Sequence, residues 1–229
     1  MHPTALMNCK NFFDCYGKYY ALNGQVKVLD IGSQDVNGSL RSVTPQKFEY
    51  VGVDFVAGKG VDIILDDPYS LPFEDESADI ILSSSCFEHS EMFWVVFLEI
   101  MRVLKPRGLF FLSVPSNGIF HRYPVDCWRF YPDSGNALVT WANRNSMNIT
   151  LLESYISGQM NDIWNDSVAI YLKDKSFANQ FTDRVTNNFK DFNNGFVAGN
   201  KALINYCAHN EDQKKLSVIT QIIQNRLKL

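Results

Sequence analysis

Acidic and small residues follow the apolar segments in the first half of the chain, and they are the first candidates for chemistry. Asp30 and Gly32 end an apolar segment within QVKVLDIGSQDVNGS, residues 25–39; Asp54 ends the next segment, and Asp67 follows a third. Glycine has no Cβ, so the chain can turn sharply and bring backbone amides against a ligand. The pattern predicts a ligand site, although an ordinary strand-to-helix turn explains residues 25–39 equally well when they are taken alone.

A loop in the middle of the chain, residues 115–133 (PSNGIFHRYPVDCWRFYPD), concentrates a second set of reactive side chains. Long loops of this kind usually form lids or binding walls, and a packed structural loop is the alternative. His121 lies in this loop, and His89 follows the segment ADIILSSS. Histidine titrates near neutrality, so either residue is a candidate general base. For His89 the alternative is a residue at a helix start that bonds to the backbone.

Charged and aromatic side chains of the same loop predict contacts with an acceptor molecule. Arg122 and Arg129 suit a phosphate or carboxylate, with Asp126 orienting one of them and Tyr123 beside them. The alternative for Asp126 and Arg129 is an internal salt bridge that holds the loop in place.

Alternating strand and helix patterns must position these residues. Strands are predicted at 26–29, 48–54, 61–65, 78–82, 109–114, 149–155 and 168–172, and helices at 9–22, 91–104 and 138–145. A short helix is expected between the first two strands, and helical patterns at 177–192 and 199–229 predict a C-terminal helical appendage. The fold class is therefore α/β: a Rossmann-like, doubly wound, seven-stranded and mostly parallel sheet with helices on both faces. Residues 1–175 form one domain and residues 176–229 the extension.

Ligands of such sheets lie beyond the carboxyl ends of the strands, at the switch in strand order. Asp30, Asp54, Asp67, Ser84 and Pro115 all lie at or just past predicted strand ends. This convergence favours a ligand site more strongly than any single segment does.

Composition argues against several other functions. The formal net charge is -4, and no Lys/Arg cluster is visible, which disfavours nucleic acid as a partner. The apolar runs are too short for membrane insertion, and the first residues lack the pattern of a signal peptide, so a cytoplasmic location is predicted. The five cysteines and four histidines lack the spacing of metal ligands, so no metal site is expected.

In their order and spacing, VLDIGS, VGVD, LPFEDESADIILSS and LKPRG resemble the class I S-adenosylmethionine-dependent methyltransferases over about residues 25–133. LPFEDESADIILSS is similar to a signature of the small-molecule branch. The resemblance implies S-adenosyl-L-methionine as cofactor. Its methionine part would lie at Asp30, Gly32 and Ser33, its ribose hydroxyls at Asp54, its adenine amino group at Asp67 (with Asp66 as the alternative), and Ser84 and Ser85 would pass alongside it. The family's repeated glycines are replaced at Gln34 and Val36.

The segment HRYPVDCWRFYPD resembles a subgroup associated with modification of surface polysaccharides such as capsule or lipopolysaccharide. The resemblance implies O-methylation of a small molecule, or of a sugar or phosphate-linked oxygen of a glycan. A non-catalytic scaffold that uses its C-terminal helices as an interface is one alternative. An NAD-dependent oxidoreductase is another, disfavoured because the dinucleotide fingerprint Gly-x-Gly-x-x-Gly is absent after the first strand.

Overall fold

The computed structural model describes residues 2–21 and 24–227. Within them, eight strands form one sheet: β1 (Lys27–Ile31), β2 (Glu49–Asp54), β3 (Ile63–Ile64), β4 (Ala78–Ser84), β5 (Leu104–Pro115), β6 (Thr150–Ser157), β7 (Asp166–Leu172) and β8 (Phe192–Val197). The α-helices are α1 (Pro3–Tyr16), α2 (Phe93–Val103), α3 (Ser134–Arg144), α4 (Val185–Asn188) and α5 (Glu211–Ile223).

The strand order is β3-β2-β1-β4-β5-β7-β6-β8. The first five strands of this order run parallel, whereas β7 is antiparallel to β5 and to β6, and β8 is antiparallel to β6. After β1 the chain moves to β2 on one side and later returns to β4 on the other. The switch in strand order therefore lies between β1 and β4, where Ile31 pairs with Ser83.

Apolar side chains cover both faces of the sheet. On one face, α2 and α3 pack Phe97 and Leu138 against the sheet residues Leu29 and Phe110. On the other face, α1 packs aromatic side chains such as Phe12 against Val28 and its neighbours. Successive strand residues point to opposite faces, so Val28 and Leu29 enter different cores. Helices on both faces and a mostly parallel sheet agree with the predicted architecture.

Three expectations about the elements are wrong. The sheet has eight strands rather than seven, because Phe192–Val197 pairs with β6. The helical pattern at 177–192 was expected to run up to the first residue of this strand. The segment from residue 176 onward is therefore not purely helical. Between β1 and β2, the expected short helix is replaced by the 3-10 turn Leu40–Ser42.

The starts of two elements differ most from the predicted ones. Strand β5 begins at Leu104, the last residue of the helix predicted at 91–104, because a residue that precedes proline, here Lys105, favours an extended backbone. Helix α1 begins earlier than predicted, at Pro3. Leu22, the predicted end of that helix, lies outside the described residues, as does Leu229 at the end of the C-terminal pattern. Over residues 2–21 and 24–227, no helix has both the length and the apolar character needed to cross a bilayer.

Candidate functional site

A cavity of about 1060 Å³ opens beyond the carboxyl ends of the central strands. Gly32 follows β1, Asp54 ends β2 and Ser84 ends β4, and all three line this cavity. Residues 121–125 of the loop after β5 form part of its wall. Its volume is just above the usual range of about 300–1,000 Å³ for ligand-binding pockets. Strand-end residues that were predicted to meet at the switch point, Asp54 and Ser84 among them, therefore line one concave site.

The loop after β1 is held by hydrogen bonds to β2. The backbone N–H groups of Gly32 and Ser33 both donate to the carbonyl oxygen of Val53, at 2.9 and 3.2 Å. The N–H of Gln34 donates to the carboxylate of Asp54 at 3.1 Å. These bonds fix the loop in place although no α-helix follows β1.

Gly32 contacts the loop after β4 so closely that a side chain has no room. A Cβ atom there would lie 2.6 Å from the Cβ and Sγ of Cys86, and its φ is +84°. Gln34 and Val36, which occupy the later glycine positions of the family pattern, both line the cavity. The departure from that pattern therefore places side chains, rather than bare backbone, on this part of the wall.

Asp54 lies at the cavity with both carboxylate oxygens in use. One oxygen accepts from Gln34 N–H and the other from Val56 N–H, each at 3.1 Å. A carboxylate has about four acceptor positions, so Asp54 keeps capacity for two further donors such as hydroxyl groups.

Asp30 lies beneath the loop and is not among the residues that line the cavity. Its side chain is buried on the opposite face of β1 from Ile31, and one oxygen accepts the hydroxyl of Tyr50. Burial raises the pKa of Asp30 to about 7, although the Tyr50 hydrogen bond lowers it. The predicted contact with the cofactor's amino group remains a prediction.

The three serines of the predicted site occupy different positions. Ser33 is buried and does not line the cavity, whereas Ser84 and Ser85 do. The Oγ of Ser84 is buried without a hydrogen-bond partner among the described residues. An unpaired buried hydroxyl costs free energy, so Ser84 is suited to a bound ligand.

Asp67 and Asp66 are exposed and lie outside the cavity lining. Asp67 accepts the backbone N–H of Tyr69 at 2.8 Å. Pro68 and Tyr69, which follow in the chain, do line the cavity. The predicted adenine contact by Asp67 remains a prediction.

His89 and His121 are brought together in the lining of the cavity. Their ring centroids lie 4.9 Å apart with the planes nearly perpendicular. The Nδ1 of His89 bonds to the carbonyl oxygen of Val125, which is the backbone contact that the alternative for His89 anticipated. The Nδ1 of His121 lies 3.2 Å from the carbonyl oxygen of Ile119. Burial lowers the pKa of His89.

Glu88 is a residue of the site that the sequence analysis missed. It lines the cavity beside His89, its side chain is 1% exposed, and its Oε2 has no hydrogen-bond partner among the described residues. Burial raises the pKa of Glu88 to about 8. The signal was present in the sequence CFEH, where an acidic residue adjoins the histidine just past the end of β4.

The loop after β5 is anchored at two points. The N–H of Cys127 donates to the backbone oxygen of Glu88 at 2.7 Å. Arg129 forms a bidentate ion pair with the buried Asp126 (2.6 and 2.9 Å), and Asp126 also accepts the backbone N–H of His121 at 2.7 Å. Hydrogen bonds from Arg129 lower the pKa of Asp126 to about 2. The pair therefore holds the loop internally.

The four predicted acceptor contacts separate into two groups. Arg122 and Tyr123 line the cavity, whereas Asp126 and Arg129 do not. Arg129 instead lines a separate, mainly aromatic surface pocket of about 450 Å³.

The start of α1 closes another side of the cavity, which the sequence analysis also missed. His2, Pro3 and Trp164 line it. The backbone N–H and the hydroxyl of Thr4 donate to Asp162 at 3.1 and 2.8 Å, which ties the helix to the segment after β6. Long-range contacts such as these bring the residues to the site, so no local pattern could reveal them.

Residues 16–112 match the family model described as a methyltransferase domain. The chain is similar to an uncharacterized methyltransferase of Mycobacterium tuberculosis, with 38% identity over 69 residues, 30% of this chain and 27% of that protein. It is also similar to phthiotriol/phenolphthiotriol dimycocerosates methyltransferase 1 of Mycobacterium ulcerans, with 42% identity over 90 residues, 37% of this chain and 29% of that protein. The matches thus span less than a third of the length of these curated relatives.

Among solved structures, the chain is similar to 1,6-didemethyltoxoflavin-N1-methyltransferase of Burkholderia thailandensis with bound 1,6-didemethyltoxoflavin and S-adenosylhomocysteine. The TM-score is 0.55 at 17% identity, covering 75% of this chain and 80% of that one. The chain has the fold of a methyltransferase. The α/β class and the mostly parallel sheet expected from the sequence are thereby confirmed.

Proposed function

We propose that this protein transfers the methyl group of S-adenosylmethionine to an oxygen of a small-molecule or glycan acceptor. The observation that carries this proposal is the meeting of Gly32, Asp54 and Ser84 in one cavity at the switch point of the sheet. The match of residues 16–112 to a methyltransferase domain supports it.

The residues present fit this cofactor on three counts. Gly32 presents backbone without a side chain to the cavity, the buried Oγ of Ser84 has no partner in the described part of the chain, and Asp54 keeps acceptor capacity. Asp54, Glu88 and Glu91 place carboxylates on the wall, which suits a sulfonium cation and neutral hydroxyls better than lysines would.

When bound, S-adenosylmethionine supplies an electrophilic methyl group. The chain's own part is to hold the acceptor oxygen in line and to take its proton. Positioning of this kind contributes on the order of 7–11 kcal/mol in favourable cases. His121 is the proposed base, because its ring lines the cavity and its Nδ1 faces the carbonyl oxygen of Ile119, which favours a proton-accepting Nε2. His89 is the alternative base.

Arg122 and Tyr123 are the proposed contacts to the acceptor, because both line the cavity next to His121. A cation and a phenol suit a sugar that carries a phosphate or carboxylate. The resemblance of this loop to a glycan-modifying subgroup supports a surface-polysaccharide precursor as the acceptor.

Isothermal titration calorimetry with S-adenosylmethionine tests the cofactor, and a screen of acceptors with S-adenosylhomocysteine formation as the readout tests the rest. We expect binding, with turnover on sugars or sugar phosphates. No binding at millimolar cofactor would overturn the enzymatic proposal and leave the non-catalytic scaffold as the remaining interpretation. Binding with turnover on amines alone would overturn the oxygen acceptor.

A further inference from the structure

Three potential metal ligands meet in the cavity although the sequence spacing gave no sign of them. Glu88, His89 and His121 each offer one ligand atom, and these three atoms lie within 4.8 Å of one another. Glu88 and His89 come from the loop after β4, and His121 comes from the loop after β5. We propose that these three side chains bind a divalent transition-metal ion.

The two imidazoles are oriented as metal-binding histidines are. A ligating histidine usually directs its second ring nitrogen to a carbonyl or carboxylate, which fixes the ring and its tautomer. The Nδ1 of His89 bonds to the carbonyl oxygen of Val125, and the Nδ1 of His121 lies 3.2 Å from that of Ile119. Both Nε2 atoms then carry lone pairs that are available to a metal.

His121 has further contacts at its Nδ1. Its Nδ1 also lies 3.4 Å from Oδ2 of Asp126, which Arg129 holds in turn. The Nη2 of Arg129 lies 3.5 Å from the same Nδ1, so the positively charged guanidinium group lies on the outer side of the His121 ring. The carboxylate of Asp126 offsets that charge.

Glu88 supplies the anionic ligand and an independent sign of a bound ion. Its side chain is 1% exposed, and its Oε2 is buried without a partner among the described residues. Its Oε1 lies 3.7 Å from the Nε2 of His89. A buried carboxyl oxygen with no donor is costly, and a cation between Glu88 and the two rings would satisfy it.

The ligand set selects the class of metal. Two imidazoles and one carboxylate suit zinc, iron, cobalt or nickel rather than magnesium or calcium, which prefer oxygen ligands. Metal–ligand bonds of about 2.0–2.2 Å require the three side chains to close in by on the order of 1 Å. Three protein ligands that face a cavity leave coordination positions open, as in catalytic rather than structural sites.

Arg122 and Tyr123, the proposed acceptor contacts, line the same cavity as Glu88, His89 and His121. A metal ion held by the three side chains would act as a Lewis acid that binds an acceptor oxygen and lowers its pKa, and with His121 engaged as a ligand this activation would replace the proton transfer to His121 proposed for the metal-free chain. This role rests on the proposed methyl transfer, whereas metal binding itself does not.

Calorimetry with zinc chloride on the tag-free full chain, stripped of metal by chelator and dialysis, tests the site. We expect one equivalent to bind, with affinity reduced by more than about 10–100-fold in each of His89→Ala, His121→Ala and Glu88→Gln, because loss even of a partner that only orients a ligand costs that much. His209→Ala, which replaces an exposed histidine outside the cavity, is the matched control and should bind as the unaltered chain does. Binding that is absent, or unchanged in all three site variants, overturns the proposal.

A measurement on the unaltered chain avoids dependence on variants that fail to fold. In ¹⁵N-histidine spectra, one equivalent of zinc should shift the ring nitrogens of two of the four histidines, and His2 and His209 should remain unchanged. Shifts confined to His2 or His209 would overturn the site. Cofactor calorimetry in the metal-free chain separates the two proposals: cofactor binding without zinc binding removes only the metal, and zinc binding without cofactor binding removes only the methyl transfer.

Discussion

A Cβ atom on Gly32 would lie 2.6 Å from the Cβ and Sγ of Cys86. The loop after β1 and the loop after β4 thus meet at a point where only glycine fits. This contact fixes the spacing of the two loops on either side of the switch in strand order, and the cavity lies above them.

Gly32→Ala is expected to lower stability by about 1–3 kcal/mol and to weaken cofactor binding, because the methyl group overlaps Cys86 and the residue has φ +84°. Two control variants separate these causes. Gly199→Ala has a similar φ of +91° but no atom within 4 Å, and Gly24→Ala has neither feature. Thermal denaturation should rank Gly32→Ala lowest. Equal losses for Gly32→Ala and Gly199→Ala would show that backbone strain alone matters.

Asp54→Ala is expected to weaken S-adenosylmethionine binding by about 1.5–3 kcal/mol, because hydroxyl donors would lose a charged acceptor. The N–H groups of Gln34 and Val56 lose their acceptor as well, so the loop after β1 should loosen. Calorimetry measures the affinity, and Glu74→Ala, at an exposed site, is the control for loss of a carboxylate. Unchanged affinity in Asp54→Ala would refute its role.

His121→Ala is expected to reduce kcat by about 10²–10⁴-fold while leaving cofactor affinity intact, because the ring belongs to the loop after β5, whereas the proposed cofactor contacts Gly32 and Asp54 lie at the ends of β1 and β2. The assay is steady-state kinetics with an accepted substrate, with His209→Ala measured in parallel. Near-normal turnover would remove His121 as the base and leave His89 as the candidate.

Asp30→Asn is expected to make the protein's stability less dependent on pH. Because burial raises the folded-state pKa of Asp30 to about 7, its contribution is fully present below the unfolded value near 4 and is lost as pH rises toward 7. The loss amounts to a few kcal/mol at most. Urea denaturation at pH 5 and pH 8 should show a smaller difference in Asp30→Asn than in the unaltered chain. The surface variant Asp14→Asn is the control, and parallel pH profiles for all three chains would contradict the prediction.

Arg129→Met is expected to destabilise the protein by about 3 kcal/mol, because it leaves the buried carboxylate of Asp126 without its bidentate partner. Adding Asp126→Asn should restore much of the loss, since no unpaired charge then remains. Chemical denaturation of the single and double variants gives the coupling free energy. If the double variant were less stable than Arg129→Met, the internal ion pair would not be the reason for the cost.

The parts of the site that follow from strand ends could be predicted from sequence. Asp54 and Ser84 end apolar segments, and parallel strands bring such ends to one edge of the sheet. Asp30 shows the limit of that argument. It precedes Ile31 by one position, and the alternation of side chains directs it to the opposite face, where Tyr50 binds it.

Contacts between distant segments could not be predicted in this way. The segment before Phe192 carries a helical spacing of apolar residues, yet Phe192–Val197 adds to the sheet because β6 offers it an edge. Glu88 and His121 come from different loops, and their approach depends on the hydrogen bond from Cys127 to the backbone of Glu88. Periodicity describes one element at a time, whereas these arrangements depend on pairs of elements.

The mouth of the cavity is apolar, and this affects how binding must be measured. Val36, Phe55 and Val56 line the cavity and are 50%, 47% and 43% exposed. A ligand that covers these side chains removes apolar surface from water, so its binding carries a negative change in heat capacity. The enthalpy of binding then varies with temperature and passes through zero at some point, where a titration gives no heat although the ligand binds. The enthalpy of binding cannot be zero at two well-separated temperatures, so titrations at both detect the ligand.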